Sequence, residues 1–109
     1  MHERTKKLAI SSAVRAAVYE RDSWDNTPCC ILCGSTYQLE LAHVRSRAQG
    51  GLGVERNLVT LCSTDHRRMD QSGERQELLA QVKEYLMWRY PDWDETELQY
   101  KGSDNKAAL

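Results

Sequence analysis

Apolar and polar positions change their period several times along these 109 residues, and each change marks an element. Val14, Ala17, Val18 and Arg21 recur along one side of a helix over 11–21, which Ser11 or Ser12 can cap. Asp22 to Pro28 is polar and punctuated, so it reads as a loop. Cys30 to Gly34 has the form of a zinc knuckle, a tight turn exposing two thiolates with Gly34 relieving the backbone. Gln38 to Val44 alternates well enough for a short strand. Arg45 to Arg56 is then a long hairpin loop around Gly50, Gly51 and Gly53, and the apolar run Leu58 to Leu61 returns as the second strand. Ser63 or Thr64 can cap a short helix carrying His66 and Asp70, with Gly73 placed to end it.

Beyond Gly73, Leu78, Leu79, Val82, Tyr85, Leu86 and Arg89 recur at helical spacing, and Pro91 stops that helix after Tyr90. Trp88 and Trp93 are expected to pack it on the centre of the fold, core filling being commoner for tryptophan than stacking on bases. Lys101 to Leu109 is small and polar and is expected to fray. The elements add up to an α+β class, with a two-stranded centre between a leading and a closing helix. A chain of this length makes one domain over 1–109, and a core this small commonly needs a staple such as a metal.

Composition narrows the setting. No apolar run is long enough to span a bilayer, and no apolar stretch of useful length follows the basic start, Met1 to Lys7. A signal peptide is therefore not expected, and a reducing cytoplasm is. In that setting Cys30, Cys33 and Cys62 read as metal ligands rather than disulfide partners, with Cys29 a bystander. A net charge of −1 argues mildly against a nucleic-acid partner, but its distribution is uneven. Residues 43–75 carry six arginines against four acids, while 76–109 carry seven acids against four bases. A basic face of that kind can dock on phosphates, though a solvated mixed surface explains the charges almost as well.

The chemistry-bearing residues follow one order: Cys30-x-x-Cys33, Ala42-His43-Val44, the Gly50-Gly51 loop, Asn57 to Cys62, then His66 with Asp70 four residues on. A lone histidine at a strand end, like a lone asparagine in a turn, is most often only a satisfied polar residue. His66 and Asp70 differ, since residues four apart share one helix face and bring an imidazole and a carboxylate to one point. Borderline divalent metals accept such a pair, although a plain surface hydrogen bond is its commoner use.

Taken together, this ordered set resembles the HNH endonucleases, the ββα-metal or His-Me finger nucleases, particularly the small versions found in tailed bacteriophages. Tyr19 to Asp22 and Tyr90 to Trp93 extend the likeness outwards. The resemblance implies a ββα-metal core over 29–73 with a zinc knuckle, followed by a helix and tail over 74–100. It makes His43 the general base, Asn57 the residue that fixes the loop, and His66 with Asp70 the holders of one catalytic cation (Mg²⁺, Mn²⁺, Ni²⁺ or Zn²⁺). A structural zinc would sit on Cys30, Cys33 and Cys62. Asp65 stands where relatives carry a fourth cysteine, so the resemblance implies Asp65 as fourth ligand, with Cys29, water or a weakened site as the alternatives. Arg45, Arg47, Arg56, Arg67 and Arg68 flank the site as candidate phosphate contacts.

A second departure is Ala42, where most members place a further metal ligand beside the base. Glu40, two residues earlier on the same strand face, can stand in for it, as can water or substrate. The expected function is metal-dependent DNA hydrolysis with weak sequence specificity, leaving a 5′-phosphate and a 3′-hydroxyl. Support for phage DNA packaging beside the terminase is implied by the resemblance alone. The alternative is a zinc-stapled DNA- or protein-binding module whose nuclease site has decayed.

Overall fold

The computed structural model describes residues 3–101. Its centre is an antiparallel pair, β3 (Leu39–His43) and β4 (Leu58–Cys62), in register from Leu39 opposite Cys62 to His43 opposite Leu58. The pair has helices on both faces, and for that reason all five residues of β4 are buried. On one face Leu41 and Leu58 meet Val18 of α2 (Ser12–Arg21), with Ile10, Val14 and Tyr19 at the margin. On the other, Ala42, Val44, Val59 and Leu61 meet Met69 of α3 (Ser63–Gln71) and Leu78, Val82 and Leu86 of α4 (Arg75–Arg89). The class is α+β, with a second small sheet beside the first.

That second sheet revises the expected loop at 22–28. Ser23–Trp24 (β1) pairs with Thr27–Pro28 (β2), and Asp25 and Asn26 between them take φ of 51° and 65°. Both residue types tolerate the left-handed region, as a two-residue hairpin turn requires. A further helix, α1 (Glu3–Leu8), precedes the one expected from sequence, and α2 begins where expected, with the Ser11 side chain accepting from Val14 N.

The 45–56 loop is fastened on both sides. The Gly53 amide donates to Lys7 O at the end of α1, and on the other side Leu52 N–H donates to Leu98 O while Tyr100 N–H donates to Gly50 O, tying the loop to the chain's last described segment. Glycine is needed where the backbones touch: a Cβ on Gly51 would lie 1.7 Å from Arg45 O, and one on Gly53 2.2 Å from Ala9 O.

Three further expectations change. The cap of α3 is Cys62, whose Sγ accepts from Asp65 N, rather than Ser63 or Thr64. The same helix stops at Ser72, whose hydroxyl turns back on Arg68 O, before Gly73 is reached. Trp93 packs against the core and donates to Arg56 O, but Trp88 is 71% exposed, with its ring against Tyr85 and Arg89. All of the frayed tail but Lys101 lies outside the described residues. Among those residues no helix is long and apolar enough to cross a membrane.

Candidate active site

His43 is the last residue of β3, and the chain beyond it is held by Asn57. Arg45 N–H donates to Asn57 Oδ1 at 2.8 Å, while Asn57 Nδ2 donates to Arg45 O at 3.1 Å and Leu52 O at 2.8 Å. Val44 N–H adds a bond to the Asn57 carbonyl. Asn57 is fully buried, so each of these bonds is shielded from water. The position calls for one acceptor and two donors on a short stem, which is the amide of asparagine.

The His43 imidazole is half-buried, and its Nε2 is buried without a partner among the described residues. Burial is the main cause that lowers its pKa, aided by the charges of Arg47 and His66 and opposed by Asp70. The ring is therefore a neutral proton acceptor near pH 7. His66 and Asp70 are thus within its electrostatic reach, across from β3 on α3.

On α3, His66 Nε2 faces Asp70 Oδ2 at 3.3 Å, and His66 Nδ1 faces Glu40 Oε1 of β3 at 2.7 Å. Glu40, Ser63, His66, Arg67, Asp70 and Gln71 line an open, polar cavity of about 270 Å³. A separation of 3.3 Å suits two neighbouring ligands of one cation bound at roughly 2.0–2.2 Å. Glu40 does not join them on that side, because it meets the opposite ring nitrogen. Ala42, the departure from the resemblance, is fully buried in the core beneath α3.

A second cluster sits at the other end of the pair. The Cys30, Cys33 and Cys62 sulfurs and an Asp65 oxygen all lie within 4.8 Å of one another, a group that could hold a metal ion. Cys30 Sγ is 3.2 Å from Asp65 Oδ2, and the Cys33 and Cys62 sulfurs are 3.7 Å apart. Tetrahedral zinc would separate such ligands by roughly the same amounts. Burial pushes the Cys30 thiol up. The Cys33 thiol is pushed up to about 12, where burial and its Asp65, Cys62 and Cys30 neighbours outweigh the Ser35 amide. Asp65 is held low instead, since bonds from the three cysteines and Arg68 overcome its own burial. Cys29 is half-buried outside this group.

The HNH endonuclease family model matches residues 30–71. Residues 30–71 are thus similar to the HNH endonucleases. No curated protein matches the chain. The HNH segment opens on Cys30 and closes on Gln71, so it contains both clusters, His43 and Asn57, while α2 and α4 flank it.

Of the five arginines expected to meet phosphates, three are already engaged, and Arg75 beyond them lies 3.4 Å from Asp70. Arg45 pairs with Glu95, Arg56 with Asp92 over the Tyr90 ring, and Arg68 with Asp65 and Glu74. Arg47 and Arg67 are exposed and have no ion pair among the described residues. Ser63 and Gln71 in the cavity wall were not anticipated, although Ser63 stands three residues before His66 and Gln71 four after Arg67 on the same helix.

Proposed function

We propose that this chain is a metal-dependent DNA endonuclease of weak sequence specificity, leaving 5′-phosphate and 3′-hydroxyl ends. One observation carries the reading: an imidazole kept neutral at a strand end that a buried asparagine locks, within electrostatic reach of a histidine–carboxylate pair at metal-ligand separation.

His43 would take the proton from the attacking water, and its lowered pKa suits that task. Asn57 would keep the strand end and loop from moving under it. His66 and Asp70 would hold the cation. When bound, a divalent cation supplies Lewis-acid stabilisation of charge on the phosphate and the leaving 3′ oxygen. Arg47 and Arg67 are the side chains free to take neighbouring phosphates, contacts that position DNA without reading its sequence. Cys30, Cys33, Cys62 and Asp65 would carry a separate structural zinc that fastens the knuckle to α3. A place beside phage packaging proteins has only the resemblance in its favour.

The test is incubation of supercoiled plasmid with purified protein and Mg²⁺, Mn²⁺, Ni²⁺ or Zn²⁺, with EDTA as control. Nicks sealed directly by DNA ligase have the expected ends. Ala42 and the three internally paired arginines favour the second reading, a zinc-stapled binding module. Plasmid retarded in a gel but uncut with every metal would select it.

A further inference from the structure

Glu40 reaches His66 from a different element and meets the ring nitrogen that faces away from Asp70. The β3 alternation puts Glu40 on the face that α3 covers, two residues before the buried Ala42. One turn of α3 then sets Asp70 on the other side of the same ring. The imidazole therefore lies between two carboxylates, 2.7 Å from one and 3.3 Å from the other. The shorter contact is a hydrogen bond, and the longer one, an ion pair when the ring is protonated, also matches the spacing of two ligands around a shared ion.

We infer that Glu40 is a positioning residue: it accepts the Nδ1–H of His66, so that the Nε2 lone pair points toward Asp70 and whatever cation that pair holds. This rests on the nuclease reading of His66 and Asp70. A neutral imidazole carries a single N–H, and the partner of that N–H decides which nitrogen remains to bind a metal. Held by Glu40, the ring is fixed in both tautomer and orientation. A histidine reaching out from a short helix would otherwise turn about its side-chain bonds. The absence of a metal-binding side chain at Ala42 makes that constraint matter more, because His66 contributes the one nitrogen of the pair.

The inference separates Glu40 from a direct ligand. Its oxygen bonds the far side of the ring, so the site would lose orientation rather than a coordinating atom when Glu40 is changed. Glutamine can still accept the Nδ1–H through its amide oxygen, whereas alanine cannot.

Two measurements on the whole chain test this. The first follows Mn²⁺ binding by the electron paramagnetic resonance of the free ion, for wild type, Glu40→Gln, Glu40→Ala and His66→Ala. Glu40→Ala should weaken binding by about 10-fold or more, the usual effect of removing such a partner. Glu40→Gln should recover most of that loss. The second is nitrogen-15 NMR of the histidine rings with Zn²⁺ bound, where wild-type His66 should carry its proton on Nδ1 and its metal on Nε2. Mn²⁺ affinity within twofold of wild type for Glu40→Ala, or a metal on Nδ1, overturns the inference. So does Glu40→Gln losing as much as Glu40→Ala, which would make Glu40 a ligand. If His66→Ala binds Mn²⁺ as wild type does, the metal reading of His66 and Asp70 fails instead.

Discussion

Asn57 and Arg45 exchange two hydrogen bonds across the mouth of the 45–56 loop, the Arg45 amide giving to Oδ1 and Nδ2 giving to the Arg45 carbonyl. Replacing Asn57 with aspartate keeps the shape but removes both donors and faces a buried carboxylate toward two carbonyls. A loss of roughly 2–4 kcal/mol is expected, since buried partners are left unpaired. Urea unfolding of Asn57→Asp against wild type measures it, and an unchanged midpoint would show that the loop is held by something else.

The pH profile of cleavage should be governed by His43. Its lowered pKa means that the neutral, accepting form is already present at pH 7 and is lost only as the pH falls below the ordinary histidine range. The Arg47 charge is one cause of the lowering, so Arg47→Ala should move the acidic limb of the rate profile upward in pH. A limb that stays in place, measured at saturating metal, would mean that another group sets it.

A zinc ion on Cys30, Cys33, Cys62 and Asp65 should survive dialysis and be released by a strong chelator with loss of folded structure. Elemental analysis should find about one zinc per chain when no catalytic metal is added. Asp65→Ala should shed it more readily, while Cys29→Ser should not, because Cys29 lies outside the cluster. Equal zinc retention in Asp65→Ala and wild type would remove Asp65 from the set.

Much of this was written in the local sequence. The knuckle, the two strands, α2 and α4 depend on periodicity and on glycine, proline and serine at defined places, and these appear where expected. His66 and Asp70 share a face because helical spacing dictates it. What escaped depends on distant partners. Cys62 caps α3 with a sulfur that also belongs to the Cys30, Cys33 and Asp65 group, which forms only once distant segments meet. Trp88 stands exposed at the rim of an open cavity that it lines with residues of the knuckle and hairpin, which come from a distant part of the chain. Which arginines remain free could not be read either, since Glu95 and Asp92 come from the tail that folds back to pair them.

The same burial bears on Ala42. The resemblance suggests that an aspartate there would supply a missing ligand, yet Ala42 is fully enclosed by the core. Without metal, Ala42→Asp should lose on the order of 3–5 kcal/mol, the cost of a buried charge lacking a partner. Added Mn²⁺ should restore part of that loss, raising the melting temperature more than it does for wild type. Equal melting temperatures without metal would show that the site relaxes to admit the carboxylate.

The most direct measurement is the rate at which supercoiled plasmid is nicked by wild type and by His43→Ala, each with saturating Mn²⁺ or Mg²⁺ and with EDTA. Wild type should cut only with metal. The variant should fold and bind DNA as wild type does but cut about 10²–10⁴-fold more slowly, the usual contribution of a general base. Nicking by His43→Ala at the wild-type rate, or nicking that persists in EDTA, would contradict the account.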